Sequence, residues 1–379
     1  MKAKVIYLTG SDLVILPPTM GQPKDDQFLG TPQERLGEVA CRICYDSMGL
    51  TKSRSSQALH EHIQDAPNLS VYEHINFTIR IPAETIRHTL ELIACCSGRP
   101  GVRYRLDGQS VVVTANLRAI LEWDKWSLRN HTVTVLFDEL NERLGNSLLE
   151  VAERAMPRAL KERSGVILYY ELVGHDELLD SERFISVWLY GSRGFTHEMV
   201  RHRFAMSQRS TRFVDELPPG WYEDGWEDEN DCLESDIRCE GEFIVHPLTR
   251  EYVADSSVSA ADKKELLDRW ASLKQESRGL YKFLVEKLQG YVGGDSTNAR
   301  KQGRGAARLV LPNALASEMI YTASVADWTD FIIPQRASAL ADAEIRQVIV
   351  EALIDMTPIK HEYLFKEAPD GLGLVATRL

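Results

Sequence analysis

The residues best suited to chemistry lie in one short segment, residues 201–212, which carries four arginines, one histidine and three hydroxyl side chains. A guanidinium group presents a planar fork that matches phosphate or carboxylate oxygens two at a time. The chain as a whole has a formal net charge of -12, so this positive charge is concentrated against the overall balance. The pattern predicts an anion-binding site, and a solvated basic helix face is the alternative.

The elements that must position this segment are predicted from its neighbours. Residues 184–190 are rich in β-branched and aromatic side chains, which is typical of a strand. Residues 194–200 read as a loop that leads into a helix carrying the arginines. We therefore expect the arginines to follow closely on the end of a strand.

The overall composition bounds the class of protein. With 379 residues, 44% hydrophobic and 26% charged, the chain predicts a soluble globular protein with a sizeable core. No apolar run approaches the roughly 20 residues that a membrane helix needs. The N-terminus reads as a first strand rather than a signal peptide, so we expect a cytoplasmic protein that binds no membrane. The acidic balance disfavours nucleic acid, which requires a broad basic face, and favours a small anionic ligand.

The six cysteines were tested against metal and disulfide patterns. Cys41 and Cys44 form a CxxC pair, but the sequence contains no second CxxC, and no histidine pair follows Cys44 at the distance of a zinc finger. Cysteine is among the residues most often buried. We therefore predict free, buried thiols and no metal site.

Several helices have clear sequence signals. Thr31, Pro32 and Glu34 form a capping box with proline at the first helical position. A second helix is expected over residues 55–63. Ser259, with Asp262 three residues later, opens the helix with the clearest sequence signal, whose apolar stripe runs to Gly290 and predicts core or a subunit interface.

The remaining elements and the organisation of the chain are predicted as follows. Residues 70–81 end in strand-like alternation, residues 110–114 form a β-branched strand, and a helix is expected from about Ala314. No flexible linker divides the chain. We expect a single domain over residues 1–379, with an insertion at about 82–180 and an acidic surface excursion at about 218–255.

Five segments, taken in order, resemble one known family. They are residues 41–47 (CRICYDS), residues 70–74 (SVYEH) followed by Phe77 and Thr78, residues 194–200, residues 201–212, and residues 308–312 (RLVLP) with Arg336 and the helix around Glu344, Ile345 and Arg346. This series resembles the flavin-dependent thymidylate synthases, the ThyX family, and its RHR-x7-S motif. Six residues rather than seven separate Arg203 from Ser210.

The resemblance implies an α/β, ThyX-like fold with a mixed sheet flanked by helices, helical insertions, and active sites between the subunits of a homotetramer. It also implies reductive methylation of C5 of a uridine nucleotide, with FAD, NADPH and methylenetetrahydrofolate. The family default acceptor is dUMP. The shortened loop leaves a specialised acceptor open, such as UMP in nucleoside-antibiotic biosynthesis.

The resemblance also assigns roles to individual residues. Arg201, His202 and Arg203 would be catalytic and would contact the flavin. The substrate-binding set would be Glu198, Arg201, Gln208, Arg209, Ser210, Arg212, Arg308 and Arg336. Further cofactor-binding residues would be Ser70, Glu73, Asn116 and Arg118.

The chain also departs from the family pattern. Ser324, Val325 and Ala326 stand where the family has Asn-x-Arg at the flavin, Asp330 replaces a second asparagine, and Asn68 replaces a histidine. Residues 114–118 share a frame with residues 322–326, and there Asn116 and Arg118 preserve the missing pair. Either they substitute at the flavin, or Asn116 caps a helix and Arg118 lies on a solvated face. A nucleotide- or flavin-binding protein without turnover is the alternative function.

Overall fold

The computed structural model describes most of the N-terminal, central and C-terminal parts of the chain. The described residues are 2–20, 23–45, 47, 54–65, 68–82, 89–90, 93, 96–98, 100–121, 133–135, 166–168, 171–212, 214, 216, 243–294 and 296–379.

The described residues form twelve strands. In chain order these are β1 (Lys2–Leu8), β2 (Asn76–Pro82), β3 (Val102–Asp107), β4 (Ser110–Asn116), β5 (Val133–Val135), β6 (Val166–Leu168), β7 (Glu171–Leu172), β8 (Phe184–Ser192), β9 (Ala205–Gln208), β10 (Ala316–Ser324), β11 (Tyr363–Glu367) and β12 (Leu374–Arg378).

The α-helices of the described residues are α1 (Pro32–Tyr45), α2 (Ser56–Asp65), α3 (Leu117–Leu121), α4 (Arg193–Met199), α5 (Pro247–Ala254), α6 (Ala260–Val292), α7 (Thr297–Ala307), α8 (Val325–Asp327), α9 (Ile333–Arg336) and α10 (Ala343–Asp355). A π-helical turn, Trp328–Ile332, joins α8 to α9. Short 3₁₀ turns cover Leu69–His74, His175–Glu177, Val200–His202, Arg308–Val310 and Lys360–Glu362.

Two four-stranded sheets dominate the described fold. The first has the order β1–β8–β10–β9 and the second β3–β4–β2–β7, and every pairing in both is antiparallel. The expected α/β class is confirmed, but the expected mixed sheet is wrong for these two sheets, since among the described strands only the short β5–β6 pair is parallel. Strands joined by a two-residue turn, as β3 and β4 are, can only pair antiparallel.

Strand β10 corrects a sequence prediction. A helix was expected from about Ala314, whereas residues 316–324 form a strand in which all nine residues are buried. The strand pairs with β8 on one side and β9 on the other, and both of its faces are covered. A strand buried on both faces shows no alternation of polar and apolar residues, so its sequence resembles that of a buried helix.

The segment before the arginines is also corrected. Residues 193–199 form helix α4, not a loop, and the side chain of Ser192 caps it by accepting a hydrogen bond from the Phe195 backbone N–H (3.0 Å). Glu344 of α10 accepts hydrogen bonds from the Ser192 backbone N–H (2.6 Å) and hydroxyl (2.8 Å). The arginine segment then leaves the helix and enters β9. The solvated-helix alternative is therefore wrong.

The predicted helix caps are confirmed. The Thr31 backbone N–H donates to Glu34 Oε2 (2.9 Å), and the Glu34 N–H donates to Thr31 Oγ1 (3.3 Å), which is the reciprocal capping box. In α6 the Ser259 hydroxyl accepts from the Asp262 N–H (3.1 Å). The apolar stripe of α6 is largely exposed in the single chain, at Leu267, Leu273, Leu280 and Phe283. These four side chains are therefore not part of the core, as one of the two interpretations had it. Their burial at a subunit interface stays a prediction.

The described residues of the predicted insertion include the hairpin β3–β4, which extends the sheet that contains β2, the short helix α3, and strands β5, β6 and β7. The expectation of a helical insertion stays a prediction, since much of this segment lies outside the described residues. Residues 217–242 of the predicted acidic excursion lie outside the described residues, whereas α5 occupies Pro247–Ala254 near its end. The division into one domain stays a prediction.

A buried hydrogen-bond path joins the 3₁₀ turn before β2 to the first sheet through His74. Its Nδ1 lies 2.8 Å from Thr322 Oγ1 in β10, and its Nε2 lies 2.9 Å from Ser207 Oγ in β9. The Thr322 hydroxyl donates to Ser186 Oγ (2.7 Å), so Thr322 accepts from Nδ1–H, and Nε2 accepts from Ser207. Burial lowers the pKa of His74 to about 3, and the ring is neutral.

We predict that the free energy of unfolding decreases as the pH falls below about 6.5. Burial lowers the pKa of His74 to about 3 and that of His60 to about 4, while an unfolded histidine titrates near 6.5. As the pH falls, the unfolded chain therefore binds protons before the folded chain does. The contribution of these histidines to the free energy of unfolding is complete above about pH 6.5 and decreases as the pH falls towards the folded pKa values. Each histidine contributes a slope of about 1.4 kcal/mol per pH unit.

Urea unfolding between about pH 7 and about pH 5 measures this slope. The variant His74→Gln should lose the part of this slope that comes from His74 and keep the parts that come from His60 and His202, whose pKa values are also lowered. An unchanged slope in His74→Gln contradicts the prediction.

Candidate functional site

A backbone reversal divides the Arg201, His202 and Arg203 triplet. Helix α4 ends at Met199, a 3₁₀ turn covers Val200–His202, and Arg203 has φ 57° and ψ 33°, which is the left-handed region. Among the described residues, only Phe28 and Arg203 are non-glycine residues with positive φ. This conformation costs an ordinary residue roughly 1–2 kcal/mol. Its consequence is that Arg201 and His202 face one set of partners and Arg203 another.

Arg201 and His202 belong to the carboxylate–arginine cluster, which we define as Glu198, Arg201, His202 and Arg336. Arg201 Nη1 donates to both Glu198 oxygens (3.0 and 2.9 Å). Arg336 Nη1 donates to Glu198 Oε2 (3.0 Å), and its Nη2 donates to the Glu198 carbonyl (3.2 Å). One carboxylate thus holds two guanidinium groups, while the Arg201 side chain stays 67% exposed. Burial acts to raise the pKa of Glu198, but the arginine hydrogen bonds and charges outweigh it and lower that pKa.

His202 is a neutral hydrogen-bond acceptor in this cluster. Arg336 Nε donates to His202 Nε2 at 2.7 Å, and because a guanidinium only donates, the imidazole proton must lie on Nδ1. Burial first, and then the positive charges of Arg336 and Arg201, lower the pKa of His202, while Glu198 acts to raise it. The ring therefore cannot give a proton from Nε2 while Arg336 is in place.

Arg203 lines the inter-sheet cleft, a cavity of about 430 Å³ at the ends of β2, β4 and β10. That volume lies within the range of small-molecule sites. The charged lining residues are Glu73, Arg103, Arg118, Arg203 and Asp327; the polar and aromatic ones include Asn76, Thr114, Asn116, Thr322, Phe184 and Phe204. Three predicted cofactor-binding residues besides Arg203 thus come together here, namely Glu73, Asn116 and Arg118.

The structure supports both interpretations of Asn116 and Arg118. Asn116 Oδ1 accepts from the Ala119 N–H (2.8 Å), so the residue caps α3 as in the structural alternative. Arg118 Nη1 lies 2.5 Å from Glu73 Oε1, and all three side chains border the cleft. Asn116 is therefore both the cap of α3 and a residue of the cleft lining.

Sequence reasoning missed Arg103, which lies on the opposite wall of the cleft. Its Nη1 donates to Ser324 Oγ (3.0 Å) and its Nη2 to Asp327 Oδ2 (2.5 Å). The partners are more than 200 positions apart in the chain, and no local pattern in the sequence signals such a contact.

The predicted nucleotide loop is held by β9 and its neighbours. Gln208 Nε2 donates to Thr196 Oγ1 (2.8 Å) and to Ser317 Oγ (3.2 Å). Arg209 is buried with its Nη2 3.9 Å from Glu216 Oε2. The backbone N–H of Ser210 donates to the Cys44 carbonyl (3.0 Å).

The remaining predicted site residues lie away from both groups. Arg212 packs towards α7, where a Cβ on Gly305 would lie 3.3 Å from its Cγ. Arg308 is exposed in its 3₁₀ turn, and its charge helps to lower the pKa of Arg193, for which burial is the larger cause. Ser70 is exposed and donates to Asn68 Oδ1 (3.1 Å); it does not line the cleft with Glu73.

The CxxC thiols lie on α1 beside this loop. Cys41 and Cys44 form no disulfide, and burial raises the pKa of Cys41 to about 12 and that of Cys44 to about 11. The prediction of free thiols is confirmed for these two, with Cys44 only half-buried. Within the ranges that the structure describes, no group of three His, Cys, Asp or Glu side chains is placed to hold a metal. No helix in those ranges is long and apolar enough to cross a membrane.

Comparisons with known proteins match the chain to one family. The family model described as "Thymidylate synthase complementing protein" matches residues 144–359, which is more than half of the chain. The flavin-dependent thymidylate synthase of Corynebacterium glutamicum is 30% identical over 276 residues, covering 72% of this chain and 86% of that protein. The chain belongs to the flavin-dependent thymidylate synthase family. The resemblance seen in the sequence is confirmed. The prediction that the protein is a thymidylate synthase-like enzyme is confirmed as well.

Two further matches complete the comparison. The flavin-dependent thymidylate synthase of Mycolicibacterium gilvum is 35% identical over 185 residues, covering 48% of this chain and 60% of that protein's length. The crystal structure of a UMP/dUMP methylase PolB from Streptomyces cacaoi bound with 5-Br dUMP matches with TM-score 0.31 and 16% identity, covering 48% of this chain and 71% of that chain. A likeness of that size carries no argument about the ligand.

The residues of the inter-sheet cleft fit the flavin that the family name implies. Arg103, Arg118 and Arg203 would supply cations for a phosphorylated side chain, while Phe184 and Phe204 would supply aromatic surface for a ring system. Three arginines against two carboxylates leave a net positive wall, as an anionic cofactor requires.

We predict that Arg336→Ala raises the pKa of His202 in this family member. The substitution removes a cation and the N–H that occupies Nε2, and of the charges that remain Glu198, which raises the pKa of His202, has a larger effect than Arg201, which lowers it. An NMR titration of the imidazole measures the change. Arg201→Ala is the matched comparison and should produce a smaller rise, because no hydrogen bond joins Arg201 to the ring. A pKa of His202 that is unchanged or lower in Arg336→Ala is incompatible with this account.

Proposed function

We propose that the protein is a flavin-dependent methyltransferase that reductively methylates C5 of a uridine nucleotide. The observation that supports this best is the reversal at Arg203, which sends one arginine of the triplet to the inter-sheet cleft and leaves the other with Arg336. A flavin and a nucleotide acceptor need adjoining sites of this kind. When bound, FAD supplies the hydride, methylenetetrahydrofolate the one-carbon unit, and NADPH the electrons that reduce the flavin again.

The nucleotide side of the site is the carboxylate–arginine cluster. Glu198 orients Arg201 and Arg336 through bonds of about 3 Å, so both guanidinium groups are held before an anion arrives. Arg201 is mostly exposed and can bind phosphate or a pyrimidine carbonyl oxygen. Arg308 and the loop of Gln208, Arg209, Ser210 and Arg212 complete the proposed nucleotide set.

The neutral His202 suits a position between acceptor and flavin. Its Nε2 is occupied by Arg336, so its Nδ1–H is the group that can donate to a ligand oxygen. A donor that carries no charge of its own polarises a carbonyl without repelling the arginines beside it. His202 would thus orient and polarise rather than transfer a proton from Nε2.

The flavin side is the cleft with Glu73, Asn116, Arg118 and Arg203, and Ser70 stays a proposed flavin-side residue despite its place outside the cleft lining. Arg203 borders the cleft and is exposed, so a cation can lie beside a reduced, anionic flavin. The proposed assembly is a homotetramer in the cytoplasm, in which a neighbouring subunit would cover the exposed Arg201 and Arg308.

The acceptor is proposed to be dUMP, the family default, with UMP as the second candidate. The motif between Arg203 and Ser210 is one residue short, and that loop is part of the proposed nucleotide set. We propose that this shorter loop lies at the sugar, which is where dUMP and UMP differ.

Incubation with FAD, NADPH and methylenetetrahydrofolate, offering dUMP and UMP in separate reactions, tests this function. We expect C5-methylated product from at least one, detected by mass spectrometry. Flavin and nucleotide binding with no product from either would favour the binding protein without turnover and refute the proposal.

We predict that Arg201→Ala lowers kcat/KM by about a hundredfold or more, because it removes a charged donor that acts on the acceptor. The matched control is Arg269→Ala, an exposed arginine of α6 that is also paired with one glutamate. That control should keep wild-type activity. Circular dichroism and thermal melting establish that both variants fold, and near-wild-type activity of Arg201→Ala would show that the acceptor is misplaced.

A further inference from the structure

The sequence echo between residues 114–118 and 322–326 is an echo of structure. Strand β4 ends in helix α3, and strand β10 ends in helix α8. In the first corner Thr114 bonds to its register partner Thr78 (2.9 Å). In the second corner Thr322 bonds to its register partner Ser186 (2.7 Å).

The helix caps of the two corners also correspond. Asn116 caps α3 by accepting from the N–H three residues later (2.8 Å), and Ser324 caps α8 in the same way (3.1 Å). Residues of both corners line the inter-sheet cleft, Thr114 and Asn116 on one side and Thr322 and Ala323 on the other. The cleft therefore lies between two like corners, one from each sheet.

The two corners differ in the residue that carries charge. Arg118 follows the cap in the first corner, whereas the matching residue of the second is Ala326. The second corner therefore has no cation of its own. The guanidinium of Arg103, from β3, lies there instead and bonds to the cap Ser324 (3.0 Å) and to Asp327 (2.5 Å).

Arg103 is both oriented and accessible. A third hydrogen bond, to the Ser181 carbonyl (3.4 Å), joins those to Ser324 and Asp327, yet the side chain remains 42% exposed. The start of β3 is fixed against the first corner, because the Asn116 N–H donates to the Gly101 carbonyl (3.0 Å). Gly101 has φ +72°, and a Cβ there would lie 2.0 Å from Asn116 Nδ2, so only glycine allows this approach.

We propose that Arg103 binds the diphosphate of the flavin dinucleotide in the inter-sheet cleft and supplies the cation that the second corner lacks. This inference rests on the proposed function, since it takes a flavin as the occupant. Planar guanidinium forks match phosphate oxygens two at a time, and the cleft lining has three arginines against two carboxylates. The arrangement is built for an anion.

A purely structural role would also explain the geometry, since Arg103 neutralises Asp327. FAD titrations followed by flavin fluorescence, on Arg103→Ala, Asp327→Asn and the double variant, separate the two roles. Arg103→Ala should weaken FAD binding about tenfold or more, equivalent to about 1.4 kcal/mol. The double variant should bind FAD as weakly as Arg103→Ala does, because the contact that both variants lose is with the cofactor. Recovery of wild-type affinity in the double variant overturns the proposal.

Arg105→Ala is the matched control. It lies two residues along the same strand, bonds to Glu182 at 2.5 Å, and does not line the cleft. It should leave the affinity for FAD unchanged while thermal melting reports on the fold of all variants. Loss of FAD affinity in Arg105→Ala to the same extent would show a general effect of the strand and overturn the proposal.

Riboflavin, which has the ring system but no phosphate, completes the test. Arg103→Ala should bind riboflavin as wild type does, and an equal loss for riboflavin and FAD overturns the diphosphate contact. The two proposals also fail differently. Wild-type protein that binds no FAD refutes the proposed function and this inference with it, whereas wild type and Arg103→Ala that bind FAD equally refute the inference alone.

Discussion

The neutral imidazole of His74 holds the 3₁₀ turn before β2 against two strands of the first sheet, and the geometry of the candidate site depends on that connection. The ring is buried and bonds to β9 through Ser207 and to β10 through Thr322. It ends the 3₁₀ turn that carries Glu73, so the cleft residue Glu73 keeps its position relative to β10. A buried polar group that satisfies both of its ring nitrogens fixes one arrangement, because any shift would leave a nitrogen without its partner.

The second constraint is the left-handed backbone of Arg203. Since α4 is anchored through Ser192 to Glu344, the chain leaves the helix at a fixed point and must turn to reach β9. The turn places Arg203 at the cleft and leaves Arg201 and His202 in the carboxylate–arginine cluster. Backbone strain of this kind is found where the surrounding structure fixes it, and here both flanking elements are packed against β10.

Charge balance then distinguishes the two parts of the site. In the carboxylate–arginine cluster one glutamate serves two arginines and leaves His202 neutral, while in the cleft Glu73 and Asp327 each hold one arginine by a short bond. Paired guanidinium groups are oriented before a ligand binds, which lowers the entropy lost on binding. Because each arginine is paired with a carboxylate, substituting one member of a pair also changes the other. The effect of a single substitution therefore includes the loss of the ion pair.

The sequence by itself determined the features that depend on neighbours along the chain. Thr31 with Glu34 and Ser259 with Asp262 predict their helices because a cap satisfies N–H groups two or three residues away. The order of motifs around residues 201–212 predicted the family, which the comparisons confirmed. It also brought together Glu73, Asn116, Arg118 and Arg203 as cofactor residues, which the fold places around one cleft.

Only the tertiary structure decided the features that depend on distant contacts. Strand β10 has no alternation because it is buried on both faces, and its sequence therefore favoured a helix. Some pairings of the two antiparallel sheets, such as β1 with β8 and β8 with β10, join segments far apart in the chain. Arg103 has no signature because Ser324 and Asp327 lie more than 200 residues away. Local patterns record capping and periodicity, whereas a contact between remote side chains is fixed only when the sheets that carry them pack together.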